Sequence, residues 1–272
     1  MKDGGWDLRI RRASELASIH SFAAEAMHFY ERITQFQKSL YAQLETKSGR
    51  AKKPRPSGTL RQDFDEFILL PQFGPFLSLI EQSAPSPLSQ SARELRLQDS
   101  RHWRQILEGF WRADPDSRES LDPAEGLIPW IFLQPYAEYL ADRTEQVSAG
   151  EAPSRCPLCS GKPQVGALRR EGDGAKRSLI CALCANEWDY RRILCHACGE
   201  EDVQKLAFYT AQDVISHVRV EACDSCRRYI KTVDLTKDGH AVPVVDELAT
   251  IPLDLWAAEH GYRKSQTNLL GI

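Results

Sequence analysis

All eight cysteines of the 272-residue chain lie in four Cys-x-x-Cys pairs within one stretch. Two cysteines spaced in this way can point both sulfurs of a tight turn at one ion, so each pair supplies half of a tetrahedral site with four sulfur ligands. Four pairs therefore predict two metal sites. The predicted ligands are Cys156, Cys159, Cys181, Cys184, Cys195, Cys198, Cys223 and Cys226.

The spacing between the pairs indicates which of them share a site. The three gaps contain 21, 10 and 24 residues. Each long gap is enough for a β-hairpin that returns the chain to its own start, whereas the short gap is typical of a connector. We therefore predict that the first pair shares a site with the second, and the third pair with the fourth.

Four thiolates accept zinc at about 2.3 Å, and they also accept iron in a rubredoxin-like centre, so the ligand set leaves the metal open. Four sulfurs leave no position for water or substrate, which argues against a hydrolytic centre. Because eight cysteines complete two sites, we expect neither His196 nor His217 to be a ligand. Trp188 and Tyr229 follow the second and fourth pairs closely, and each is expected to cover one site.

Disulfides and thiol exchange are the other common uses of paired cysteines. The Arg11-Arg12 pair is followed by no hydrophobic signal segment, and no apolar run reaches the roughly 18 to 20 residues that span a bilayer. We therefore expect a cytoplasmic protein without membrane insertion, whose reduced thiols bind metal. Thiol exchange usually places the pair at a helix start within a βαβ pattern, which this sequence lacks.

The net charge of −3 gives no global reason to expect DNA or RNA as a partner. Basic residues do surround the cysteine pairs, so a nucleic-acid-binding zinc ribbon is one alternative hypothesis, and an iron electron carrier or thiol relay is another. The basic residues are Arg169, Arg170, Lys176, Arg177, Arg191, Arg192, Arg227 and Arg228.

The first half of the chain has the period of helices and predicts an all-α domain. Apolar spacing of three and four residues predicts helices over 14–46, 91–112 and 123–147, the last one kinked at Pro135. Pro71 and Pro75 predict that 64–80 forms short helices joined by turns. No catalytic constellation is present here, so we predict no catalytic residues and a protein that is not an enzyme.

The second half changes to short alternating runs that predict the arms of β-hairpins, at 164–168, 177–180, 204–208 and 215–220. Two similarly organised halves suggest an internal duplication. The tail, 246–259, returns to helical character. The predicted fold is multidomain α+β, with these four parts: a helical domain (1–150), a first and a second rubredoxin-like or zinc-ribbon-like module (151–193 and 194–235), and an extension whose short helix packs back on the body (236–272).

The residues around the cysteines resemble the FdhE-type formate dehydrogenase accessory proteins. The resemblance rests on residues in a fixed order: Arg155-Cys156-Pro157-x-Cys159, Cys181-x-Leu183-Cys184 with Glu187-Trp188, the Arg192–Cys195 approach to Cys195-x-x-Cys198, Glu221-x-Cys223-Asp224-x-Cys226, Tyr229-x-Lys231, Asp246-Glu247-Leu248-Ala249, Leu253-Asp254 and Glu259-x-Gly261-Tyr262. One departure is Ser160, where the first pair of the family more often has glycine.

The resemblance implies a cytoplasmic, non-catalytic protein that is needed for the activity of molybdenum-dependent formate dehydrogenases. It implies a helical domain followed by two rubredoxin-like modules, contact with the catalytic subunit of the dehydrogenase, and iron bound by all eight cysteines. Asp246 and Glu247 recur in the family pattern, although an acidic pair at a helix N-terminus is also favoured by the helix dipole. The oligomeric state stays open, and a homo-oligomer is compatible with the sequence.

Overall fold

The structure is a computed structural model that describes residues 4–48, 59–62, 64–115, 122, 126–145, 153–211 and 215–271. Its first half is helical, as the sequence predicts. The helices are α1 (Gly4–Ile19), α2 (Ala24–Ser48), α3 (Glu66–Ser83), α4 (Leu88–Arg96), α5 (Ser100–Arg112) and α6 (Leu127–Arg143).

The continuous helix predicted for 14–46 is wrong, because the chain turns back between α1 and α2. Ile19 belongs to the predicted apolar stripe but is 67% exposed, and a short 3₁₀ turn (Ser21–Ala23) follows it. The rings of Trp6 and Tyr41 lie 5.8 Å apart, which brings the start of α1 beside the second half of α2. Two antiparallel helices bury the stripe against each other, which a single straight helix could not do.

Two further helix predictions are corrected. The helix α3 runs without interruption through Pro71 and Pro75, although each proline lacks a backbone donor. Burial of one apolar face, which includes Phe73 and Phe76, offsets that loss. The single helix predicted for 91–112 is instead α4 and α5, because the Asp99 side chain accepts a hydrogen bond from the His102 N–H and starts a new helix there.

The helix α6 is buried along most of its length, which places it at the centre of the helical half. The predicted start of this helix at Pro123 lies outside the described residues, and its predicted end at Val147 does too; in the structure α6 ends at Arg143. It continues through Pro135. Arg9 of α1 donates two hydrogen bonds, of 2.8 and 3.1 Å, to the buried carboxylate of Glu138 on α6.

In the second half, the described residues form one sheet of seven strands. The strands are β1 (Pro163–Glu171), β2 (Gly174–Cys181), β3 (Glu187–Asp189), β4 (Leu206–Thr210), β5 (Val218–Cys223), β6 (Arg228–Asp234) and β7 (Arg263–Lys264). Their order is β3-β2-β1-β6-β5-β4, with β7 beside β6. The predicted hairpin arms are therefore confirmed as β1, β2, β4 and β5.

The two predicted modules share this sheet through parallel pairing of β1 with β6. Gly166 of β1 is opposite Thr232 of β6, and a Cβ on Gly166 would be driven against the Thr232 side chain. Glycine at this position therefore allows the close approach of the two strands. The division into four parts stays a prediction, and most of its first boundary, at 148–155, lies outside the described residues.

The predicted tail helix is two helices, α7 (Pro243–Ala249) and α8 (Ile251–Glu259), separated at Thr250. A proline near the start of each one favours this break. The helix α7 packs against α1, α2, β1 and β6, so one apolar core runs from the helical half to the sheet. Among the described residues, no helix is both long and apolar enough to cross a membrane.

Candidate metal centres

The first cluster of four sulfurs joins the first and second cysteine pairs, as predicted. Cys156 Sγ lies 3.5 Å from Cys184 Sγ, and Cys159 Sγ lies 3.4 Å from Cys181 Sγ. All four sulfurs lie within 4.8 Å of one another. Four ligands at about 2.3 Å from one ion are roughly 3.8 Å apart, so the cluster fits a tetrahedral site after small adjustments.

The second cluster joins the third and fourth pairs. Cys195 Sγ lies 3.8 Å from Cys226 Sγ, and Cys198 Sγ lies 3.7 Å from Cys223 Sγ. These spacings match the tetrahedral value. The pairing predicted from the gap lengths is therefore confirmed for both clusters, and each of them could hold one metal ion.

Each cysteine pair is followed by a residue with left-handed backbone. The φ angles are 59° at Ser160, 50° at Ala185, 78° at Gly199 and 56° at Arg227. At three of these positions, Ser160, Gly199 and Arg227, the residue donates its N–H to the carbonyl of the first cysteine of its pair, at 2.8 to 3.0 Å. Three pairs therefore end in the same hydrogen-bonded turn and the fourth shares its left-handed residue, although only one of the four has glycine at that position.

The turns aim backbone N–H groups at the sulfurs, which stabilises thiolates. The N–H of Gly161, Glu200 and Arg228 donates to the sulfur of the second cysteine of the preceding pair, and the N–H of Leu183 and Ala197 donates to the first cysteine sulfur of their own pairs at 3.4 Å.

Gly161 shows why the departure at Ser160 does not disturb the first cluster. Ser160 adopts the left-handed backbone itself, and Gly161 packs directly on the sulfurs. A Cβ on Gly161 would lie 3.0 Å from Cys181 Sγ and 3.1 Å from Cys159 Sγ. The glycine that this cluster requires is therefore one residue later than the family pattern suggests.

The two clusters differ in exposure. All four cysteines of the first cluster are buried, whereas Cys198 in the second is exposed and Cys226 is partly exposed.

Burial raises the pKa of the Cys181 thiol, and hydrogen bonds from the neighbouring thiols, Cys156 first, lower the pKa of Cys159. Several buried thiolates repel one another, so a cation between them fits the chemistry of this donor set.

The two histidines each bond to a side chain that is not a cysteine, and their exclusion as metal ligands stays a prediction. His196 is buried, and its Nε2 lies 2.6 Å from Ser265 Oγ. The Nε2 of His217 lies 2.7 Å from Asp246 Oδ1. The two aromatic residues that were expected to cover the clusters form hydrogen bonds, from Trp188 Nε1 to the Pro153 carbonyl and from Tyr229 to Asp254. Their role in covering the clusters stays a prediction.

A third group of potential ligands, formed by His217, Asp238 and Asp246, is held by an arginine instead. Arg12 Nη2 lies 2.6 Å from Asp246 and 2.9 Å from Asp238. The guanidinium occupies the place where a cation would balance the two carboxylates. Arg12 therefore connects α1 to α7 and to the segment that precedes it.

Asp246 and Glu247 are both completely buried and both have structural partners. Asp246 accepts the Val242 N–H at 2.7 Å in addition to Arg12. Glu247 pairs with Lys231 and Lys264. The sequence could not reveal Arg12 as a partner of Asp246, because α1 is far from α7 along the chain.

Among the described residues, at least five of the eight basic residues near the cysteine pairs form salt bridges within the chain. These are Arg169 with Glu187, Lys176 with Asp189, Arg177 with Glu221, Arg191 with Glu201 and Arg227 with Asp224. An internal carboxylate beside each of these cations lowers its attraction for phosphate. The arrangement therefore disfavours the nucleic-acid hypothesis.

The fold and the clusters define a class: a helical protein that carries two four-cysteine clusters in one sheet. Residues 155–192 match the family model "FdhE, central domain", and residues 193–270 match "FdhE, C-terminal domain". The part of the chain from 155 to 270 therefore belongs to the FdhE family, which confirms the resemblance seen in the sequence.

Relatives of this chain from several bacteria carry the name "Protein FdhE homolog". The one from Aquifex aeolicus is 26% identical over 259 residues, which cover 91% of this chain and 88% of the relative. The one from Pseudomonas aeruginosa is 38% identical over 128 residues, which cover 44% and 40%. The crystal structure of the FdhE protein from Pseudomonas aeruginosa is similar to this fold, with a TM-score of 0.69, 24% identity, and coverage of 99% of this chain and 96% of that one.

Proposed function

We propose that this protein is a cytoplasmic accessory factor that brings a molybdenum-dependent formate dehydrogenase to activity by binding its catalytic subunit, and that it is not itself an enzyme. Membership of the FdhE family supports the accessory role. The observation that carries the proposal is the pair of closed four-sulfur clusters, which offer no open position for substrate.

In this proposal all eight cysteines are metal ligands. The sulfur spacings of 3.4 to 3.8 Å and the N–H groups aimed at sulfur fit iron of the rubredoxin type, and they fit zinc as the alternative. A bound ion would supply a cross-link that fixes each pair of turns. The chain itself supplies the left-handed turns that orient the thiolates and the apolar residues Leu158 and Leu183 that shield the first cluster.

In this proposal the client binds along the edge strand β4. This strand ends the sheet order, so one of its edges has no neighbouring strand among the described residues. Phe208 on β4 is 64% exposed, and on the other face of the strand the ring of Tyr209 lies 4.3 Å from that of Trp256, tilted by 45°. An exposed edge with aromatic residues on both faces suits an extended segment of a folding subunit.

A redox role for the second cluster is the other candidate function, because the exposure of Cys198 would give an electron or thiol partner access to the ligand set. It requires iron that cycles between two states. A colourless protein that contains only zinc after anaerobic purification would eliminate it. The accessory role would remain, because a closed zinc site can still shape the client-binding surface.

Deletion of the gene, followed by complementation with variants, tests the proposal. Loss of formate dehydrogenase activity with other molybdoenzymes unaffected is expected, together with capture of the catalytic subunit by tagged protein. Phe208→Ser should weaken capture, whereas Phe67→Ser, at a residue that is 83% exposed on the helical half, should not. Unchanged dehydrogenase activity in the deletion strain would refute the accessory role, unless a second copy of the gene substitutes.

A further inference from the structure

A cavity of about 420 Å³ lies where the helical half meets the first cysteine cluster and the tail. Phe110 and Trp130 line it from the helical side, and Gly161 and Leu183 line it from the turns of the first cluster. Its volume falls in the range of small-molecule sites, and such sites often form where two units of a fold meet.

The charged residues of this cavity are all cations. Arg61, Lys162, Arg228, Arg263 and Lys264 line it, and no aspartate or glutamate lines it in the part of the chain that the structure describes. The charge of Lys264 is offset by ion pairs with Glu247 and Asp254, which do not line the cavity. The other four come from four separate parts of the sequence, so the fold gathers positive charge at one place.

Arg61 is the most unusual of these cations. Its turn is fixed by a 3.0 Å hydrogen bond from the Leu60 N–H to the Leu158 carbonyl, next to the first cluster. Its Nη1 donates to the Ala113 carbonyl at 2.6 Å. Its Nε and Nη2 are buried and have no hydrogen-bond partner among the described residues. Buried donors are normally satisfied, and two orphaned donors on one guanidinium call for an acceptor.

We propose that this cavity binds a small phosphate-bearing ligand. A guanidinium presents parallel donors that match two phosphate oxygens, and Nε with Nη2 is such a pair. A carboxylate would bring one negative charge to a wall with several cations, whereas a phosphate ester or diphosphate brings about two or more. The apolar faces of Phe110 and Trp130 would contact the organic part of the ligand.

Titration calorimetry on the full metal-loaded chain tests this site, with inorganic phosphate, pyrophosphate and ATP as probes at constant ionic strength. The variant Arg61→Met removes the orphaned donors and keeps an apolar side chain of similar length. Arg32→Met is the matched control, because Arg32 is an exposed arginine on α2 that does not line this cavity. We expect binding of pyrophosphate to wild type and control, and binding at least about tenfold weaker to Arg61→Met.

Thermal unfolding gives a second readout that a structural role of Arg61 would not produce. Pyrophosphate should raise the melting temperature of wild type and of Arg32→Met, but not that of Arg61→Met. If Arg61→Met does not fold, Arg263→Met at the exposed rim carries the same test. Tighter binding of ATP than of pyrophosphate would identify a nucleotide, and equal binding would identify the diphosphate group. Absence of binding by all three probes, or unchanged affinity in both arginine variants, would overturn the proposal.

Discussion

Lys231 Nζ lies 3.0 Å from the carboxylate of Glu247, and both side chains are completely buried. The same ammonium lies 2.6 Å from Asp254. Glu247 also accepts a hydrogen bond from Gln164 on β1 at 3.2 Å. The pair therefore connects both cysteine modules and the two tail helices through one ionic network, which gives Glu247 and Asp254 of the family motif a structural role.

Replacing Lys231 with methionine should destabilise the protein by about 3 to 5 kcal/mol, because Glu247 and Asp254 would be left as buried charges with one cation fewer. Urea unfolding measures the loss. Lys176→Met is the matched control, since Lys176 pairs with Asp189 on the surface, and it should change stability little. A Lys231→Met protein as stable as wild type would show that the network is already balanced by Lys264.

The ionic network also predicts a dependence of stability on pH. Burial acts to raise the pKa of Glu247, but the ammonium groups of Lys231 and Lys264 outweigh it and lower this pKa to about 2. The unfolded value is near 4.5. Glu247 therefore contributes stability above pH 4.5, about 3 kcal/mol, and this contribution is lost as the pH falls toward 2.

Comparison with Glu247→Gln isolates that contribution, because acid release of metal affects both proteins. The difference in free energy of unfolding between wild type and Glu247→Gln should be constant from pH 7 to pH 5 and should shrink below pH 4.5. Urea titrations at a series of pH values measure it. A difference that stays constant down to pH 2.5 would contradict the lowered pKa.

The cysteine clusters could be predicted in full because their signal is local. Two residues between cysteines determine each turn, and the gap lengths determine which turns meet. The sheet that joins both clusters could not be predicted, because the pairing of β1 with β6 depends on the approach of Gly166 to Thr232, and these residues are far apart in the sequence.

The helical half shows why periodicity alone is insufficient. Ile19 continues the apolar stripe in the sequence but is exposed at the turn between α1 and α2, and Asp99 divides two helices through one capping bond. The prolines caused the opposite error, because they predict breaks in α3. Burial of Phe73 and Phe76 stabilises one continuous helix through both prolines. Tertiary burial and single capping residues determine where these helices begin and end. The spacing of apolar residues in the sequence reveals neither of them.

Ala185→Gly should stabilise the protein by about 0.5 to 1 kcal/mol. Ala185 has a φ of 50°, a backbone conformation in which a Cβ costs roughly 1 to 2 kcal/mol. Glycine removes this strain, but it also gives the unfolded chain more conformational freedom, which offsets part of the gain in stability. The reverse change, Gly199→Ala, is the matched control at the equivalent turn, where no atom obstructs a Cβ, and it should destabilise by about 1 kcal/mol. Thermal unfolding of both variants measures the two opposite shifts.

Gly166→Ala should cost about 1 to 3 kcal/mol, because its Cβ would be forced against the Thr232 side chain at the junction of the two modules. The double variant Gly166→Ala/Thr232→Ala should recover much of that cost, since the obstructing atoms are removed. A double-mutant cycle by urea unfolding measures the coupling. Independent effects of the two changes would show that β1 and β6 can separate slightly without loss.

If both clusters hold metal, a chelator should remove the two ions in two kinetic phases of one ion each. The second cluster should lose its ion first, because Cys198 is exposed and Cys226 is partly exposed, whereas all four sulfurs of the first cluster are buried. A colorimetric chelator in excess follows both phases. Cys198→Ser should abolish the fast phase and Cys156→Ser the slow phase, so each variant serves as the control for the other. Release of both ions in one phase would mean that the clusters open together, through the sheet that they share.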